Sequence, residues 1–65
     1  MISIMDYYGI DGYAGLQSRV LIENDVPVVE FWKDEQLVAT RSFPYNTLEY
    51  AENAAENYVL GVLEL

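Results

Sequence analysis

Cysteine and histidine are both missing from this 65-residue chain, and only three side chains, Arg19, Lys33 and Arg41, are positively charged. Without cysteine there is neither a disulfide nor a thiolate metal site. Without histidine the commonest general base and the commonest zinc ligand are gone. The three cations face eleven acidic residues, a net charge of −8 at pH 7. Binding DNA, RNA or an anionic lipid surface requires Lys and Arg to neutralise phosphates, so neither nucleic acid nor membrane is expected as a direct ligand. No run approaches the ~20 apolar residues of a membrane span. Met1 to Met5 is apolar, but no Lys or Arg precedes it and the run ends at Asp6, unlike a secretory signal. The expectation is a soluble, cytoplasmic protein.

What remains is rich enough to fold. Hydrophobic residues make up 52% of the chain and aromatics 14%, too many for a disordered acidic tail. The length points to one domain, residues 1–65, whose small size leaves stability marginal and dependent on a well-packed core or on self-association.

Residues 1–15 read as an irregular segment, because Asp6 to Gly15 holds three glycines and two aspartates, the chemistry of turns. Residues 17–43 read as a three-stranded meander: Gln17 to Glu23, Val26 to Lys33 and Gln36 to Phe43, separated by Asn24-Asp25 and Asp34-Glu35. With a two-residue loop at Asp34-Glu35, Trp32 lies opposite Leu37, Glu30 opposite Ala39 and Val28 opposite Arg41. On the other face Phe31 lies opposite Val38, and Val29 opposite Thr40. Glu30 and Arg41 then share a face as a diagonal ion pair. Both hairpin faces are partly apolar, so one is expected beneath a helix and the other beneath the N-terminal segment or a partner.

The helix, residues 46–60, is the best-marked element. Asn46 and Glu49 have capping-box spacing, and Leu48, Ala51, Ala55, Val59 and Val62 recur at steps of three and four within ~80° of one another. Gly61 is the expected stop. The fold class that follows is α+β, a three-stranded antiparallel sheet with one C-terminal helix on one face (βββα). Its core comprises Val20, Ile22, Val29, Phe31, Val38, Leu48, Ala51, Ala55, Tyr58 and Val59.

Glu49, Glu52 and Glu56 share one helical face, and no Lys or Arg lies four residues away to relieve their repulsion. Such a stripe is either a solvated face that keeps a small protein dispersed or a contact surface for a basic protein partner. Tyr45 and Tyr50 lie beside it, and tyrosine is enriched at interfaces. A second candidate surface gathers Trp32, Leu37 and Val28 with Glu30, a patch suited to docking or to a homodimer.

Other chemistries find little support. Asp6 and Asp11 do not continue into a calcium loop, because Tyr8 and Ile10 fill the alternate positions and Gln17 the twelfth. Gly9, Gly12 and Gly15 lack the flanking strand and lysine of a phosphate loop. The hydroxyls of Ser3, Ser18, Thr40, Ser42 and Thr47 have no histidine to activate them. No metal, cofactor or enzymatic activity is therefore expected.

The run Val28-Val-Glu-Phe-Trp-Lys-Asp-Glu-Gln-Leu-Val-Ala-Thr-Arg-Ser-Phe43, followed by a helix with Ala51, Ala54 and Ala55, resembles the layout of phage integrase arm-binding domains. That family enters DNA with a basic sheet face. Here the face carries Glu30, so the resemblance implies topology rather than DNA binding. The ending Tyr50-Ala-Glu-Asn-Ala-Ala-Glu-Asn-Tyr-Val-Leu-Gly-Val62 resembles small acidic accessory proteins of tailed phages, including those of cyanobacteria. That family is functionally heterogeneous, so it implies a phage setting and host modulation without assigning any residue a role.

Overall fold

The structure, a computed structural model, describes residues 2–65. Among them the chain runs through strand β1 (Ile2–Tyr8), a 3-10 turn (Asp11–Tyr13), β2 (Leu16–Glu23), β3 (Val26–Lys33), β4 (Gln36–Ser42) and helix α1 (Leu48–Val59). The strands form one antiparallel sheet in the order β1-β2-β3-β4. The fold is α+β with a C-terminal helix, as the sequence suggests, but the sheet has four strands rather than three. Within the segment 1–15, expected to wrap the sheet, the described residues 2–15 do not do so. Ile2 to Tyr8 is an edge strand paired with β2, from Ile2 opposite Ile22 to Tyr8 opposite Gln17. The turn chemistry belongs to residues 9–15 alone, where the Gly9 N–H donates to the Leu16 carbonyl at 2.9 Å and closes the hairpin.

The two tighter hairpins turn on Asn24-Asp25 and Asp34-Glu35. All four residues have positive φ, between 50° and 68°. A type I′ turn needs this at both central positions to match the strands' twist. Trp32 lies opposite Leu37 and Lys33 opposite Gln36, as a two-residue loop requires. Beyond them a β-bulge shifts β4 by one residue, so Phe31 meets Ala39, Glu30 meets Thr40, Val29 meets Arg41 and Val28 meets Ser42. A one-residue slip exchanges the faces of everything that follows it. Val38, expected in the core opposite Phe31, is 52% exposed, and the small Ala39 packs against the core in its place. Arg41 leaves the face of Glu30 for the other, so the expected Glu30–Arg41 pair does not form.

Helix α1 lies across β2 and β3, reaches β1, and leaves β4 largely outside its footprint. Val20, Val29 and Phe31 from the sheet and Ala51, Ala55, Tyr58 and Val59 from the helix form the core, with Tyr7, Leu16, Ala39, Phe43, Leu48 and Leu63 packed around it. Ile22, expected in the core, is only half-buried and lies outside this cluster. Leu21 and Val28, opposite each other on the central strands, are buried on the sheet's other face.

Small side chains on both elements allow close approach. Ser18, fully buried, donates its hydroxyl to the Ala55 carbonyl at 2.8 Å, tying β2 to the middle of the helix. The Phe31 ring meets Tyr58 edge-on at 4.9 Å, and the Tyr58 hydroxyl donates to the Trp32 carbonyl at 3.1 Å.

The helix begins one residue later than the sequence spacing implies. Thr47, not Asn46, is the N-cap, and its hydroxyl accepts the Tyr50 N–H at 3.1 Å. Asn46 is held in the preceding turn, its N–H donating to the Phe43 carbonyl at 3.2 Å. Glu49 therefore sits at the second helical position, too early to close a capping box. At the other end Gly61 has φ +79° and donates to the Tyr58 carbonyl, while Val62 donates to that of Asn57. That is a Schellman motif, as the glycine suggests.

Candidate functional site

The seven residues singled out from the sequence separate onto two surfaces. On the helix side, Glu49 lies exposed in the first turn of α1, Glu52 is half-buried and Glu56 is exposed. Tyr45, in the connection from β4, is 97% exposed, whereas Tyr50 sets its ring edge-on to Phe43 at 5.5 Å. On the opposite side of the sheet, Trp32 stands in a row with Tyr8, Gln17 and Leu37, and Glu30 in a row with Asp6, Arg19 and Thr40. The expected N-terminal cover of this face is absent, because residues 2–8 pair with β2 at the edge of the sheet. Trp32 is nonetheless half-buried, and its indole N–H is shielded from solvent without a hydrogen-bond partner.

The structure also reveals a neighbour for the acidic stripe that sequence reasoning does not identify. Tyr7, on the helix-facing side of β1, is packed against the core. Burial first, and then the negative charges of Glu52 and Glu56, raise its hydroxyl pKa above the ordinary 10.0. Helix α1 contacts β1, and of the three stripe glutamates it is Glu52 and Glu56, not Glu49, whose charges act on Tyr7. A signal was present in the sequence: Ile2, Ile4, Tyr7 and Tyr8 are strong strand formers.

Electrostatically the molecule is nearly unrelieved. Among the described residues the one ion pair is Arg19 Nε to Asp6 Oδ1 at 2.8 Å. Its hydrogen bond, the charge of Asp6 and, more weakly, that of Glu30 raise the pKa of the Arg19 guanidinium. The remaining acids, which include those of both tight turns, have no cationic partner among the described residues.

A cleft of about 500 Å³ opens at the end of the molecule where residues 9–15, the β3–β4 turn and the C-terminal tail converge. Tyr13, Leu16, Val38, Tyr58 and Leu63 give it apolar walls, with Lys33 and Glu64 at its margin. Its lining contains no serine, threonine or cysteine. The Ser18 hydroxyl is committed to Ala55 and the Thr47 hydroxyl to the helix cap. Among the described residues no three acidic side chains gather closely enough to hold a metal ion. None of the described helices is long and apolar enough to cross a membrane. No family model, curated protein or solved structure matches the chain.

Proposed function

We propose that this protein is a non-enzymatic interaction module whose acidic surface engages a basic surface on a protein partner. The observation that carries the reading is the pairing of only one of eleven acids, Asp6, with a cation among the described residues. Glu49, Glu52 and Glu56 line one helix without a compensating charge. Uncompensated like charge costs a small domain stability, and a positively charged partner offsets that cost on binding. In its sharpest form the three glutamates stand in for phosphates, so the protein occupies a nucleic-acid-binding surface. The resemblance to small phage accessory proteins makes a host protein the natural target, met in the host cytoplasm.

A pull-down from bacterial lysate at low and high salt tests this reading, with the E49Q/E52Q/E56Q variant beside the native chain. Charge-driven capture weakens as salt screens it and is lost in the variant. A partner held equally at both salt concentrations, or equally by the variant, overturns the proposal. A second reading, a homodimer through the aromatic sheet face or the apolar C-terminal tail, draws on the half-exposed Leu37 beside Trp32 and on the exposed Val62 and Leu65. Light scattering on the purified protein separates the two.

A further inference from the structure

The edges of this sheet are unlike each other. The β4 edge is interrupted by the bulge at Val38, contains Arg41 and lies next to Lys33. Bulges and cations are the usual means of keeping an edge from pairing. The β1 edge has neither proline nor a cation, and its only charged side chain, Asp6, is occupied by Arg19. Its own bulge, at Ile4, lies toward the N-terminal end. From Met5 to Tyr8 the strand is regular, paired on one side with Val20 to Gln17 and open on the other. Met5 is 47% and Tyr8 64% exposed. Side chains alternate along this stretch: Met5 and Tyr7 point to the helix side, Asp6 and Tyr8 to the open face.

We infer that the Met5–Tyr8 edge accepts an added β-strand from a protein partner, an extended segment with Lys or Arg at alternate positions and apolar residues between them. The alternation follows from the two sides of the edge. On the helix side an incoming side chain lies next to Met5 and Tyr7, on the edge that α1 contacts and where the charges of Glu52 and Glu56 act, so a cation is favoured. On the open side its neighbours are the exposed Tyr8 and the already neutralised Asp6, where an apolar or aromatic residue is favoured. Backbone hydrogen bonds would supply affinity and the alternating pockets specificity, as in other strand additions. A second copy of the chain is the wrong occupant. Its β1 has no cation to offer, and each copy brings a net charge of −8. The inference rests on the acidic-partner reading and specifies how and where that partner is held.

The test uses the native protein and two synthetic peptides of about eight residues, the length of a strand. One alternates lysine with valine; the other has the same composition with lysines and valines in blocks. Binding is followed by fluorescence anisotropy, and amide hydrogen exchange locates it. The alternating peptide is expected to bind at least several-fold more tightly than the block isomer. It should slow exchange about tenfold at amides within residues 5–8 and leave β4 unchanged. E52Q/E56Q should weaken binding about tenfold, whereas E49Q, away from Tyr7, should leave it nearly unchanged; urea unfolding of each variant checks that the fold is retained.

Equal affinity for the two peptides, protection at β4 instead of β1, or equal effects of E49Q and E52Q/E56Q overturns strand addition. Salt-sensitive binding of both peptides without protection of β1 would leave the acidic-surface reading standing and defeat this one. No binding of either peptide at millimolar concentration defeats both. Protection of β1 in a peptide-free dimer would assign the edge to a second copy.

Discussion

Glu35 should stabilise this protein when it is removed. It occupies the second central position of the β3–β4 turn at φ +68°, after Asp34 at +50°. Aspartate tolerates the left-handed region because its short side chain can bond locally, but glutamate has no such help. A left-handed conformation costs an ordinary L-residue about 1–2 kcal/mol, and glycine avoids it. Glycine gives back part of this by widening the unfolded ensemble, by about 0.4–1 kcal/mol. The expected gain for Glu35→Gly is therefore about 0.5–1 kcal/mol. In a domain of this size that is a rise in Tm of about 2–8 °C.

Urea unfolding followed by the fluorescence of Trp32, the only tryptophan, measures it directly. The midpoint should move with the slope unchanged, which places the effect on stability rather than on the extent of unfolding. Because the substitution also removes a negative charge from a chain of net charge −8, Glu35→Gln isolates that contribution. A loss of stability in the glycine variant, or a glutamine variant that gains as much, would refute the assignment of strain to this turn. Asp25→Gly, at φ +64° in the preceding hairpin, should move stability the same way by a smaller amount.

Further outcomes follow from the packing. Ser18→Ala should cost about 0.5–1.5 kcal/mol in urea unfolding, the net worth of its hydrogen bond. Ala55→Leu, which forces the helix off the sheet, should cost about 1–3 kcal/mol. Gly61→Ala places a methyl group in the left-handed region and against the Tyr13 ring, so it should cost more than about 1 kcal/mol. Tyr13→Ala in the same chain should remove the part of that penalty due to the ring. Burial, and then the charge of Asp34, raises the Tyr58 hydroxyl pKa above 10.0, and burial with Glu52 and Glu56 does the same for Tyr7. A raised folded-state pKa means that the neutral form is favoured on folding. That stability is complete below the ordinary tyrosine value and is lost as pH rises through the raised ones. Urea midpoints should therefore fall above pH about 10, and Tyr58→Phe should reduce the fall while costing about 1 kcal/mol at neutral pH through its lost bond to the Trp32 carbonyl.

The parts of the fold legible in the sequence are those fixed by strong local periodicity. The apolar steps of Ala51, Ala55 and Val59 predict the buried side of the helix because a stripe of that spacing has only one way to face a sheet. Both tight turns are likewise marked by their residues. The bulge at Val38 is not legible. Nothing local distinguishes a register that puts Val38 beside Phe31 from one that puts Ala39 there. What distinguishes them is packing across elements: Ala39, opposite Phe31, lies against the core that the helix closes. Strand β1 is missed for a different reason. Its exposed side chains give no clean alternation, and the neighbouring glycines dominate a local reading although they belong only to the loop. The acidic stripe itself is visible in the sequence at Glu49, Glu52 and Glu56. Its division is not, because Glu52 and Glu56 differ from Glu49 in acting on Tyr7, which lies on a strand that the sequence pattern hides.

The open edge and the one-signed charge are each a liability, and together they constrain one another. An edge strand exposing Ile2, Ile4 and Met5 would ordinarily invite pairing with another copy. Repulsion between copies of net charge −8 opposes that encounter at the range of the Debye length, before any backbone hydrogen bond can form. The same field accelerates approach of a cationic segment. A solubilising face and a binding face are thus not competing explanations of the acidic helix. On the proposed reading the charge that excludes a second copy from β1 is the charge that admits the partner. The two effects respond oppositely to salt: screening relieves the repulsion that keeps copies apart and weakens the attraction that brings the partner in. A protein built this way would lose its partner and begin to self-associate over the same range of ionic strength.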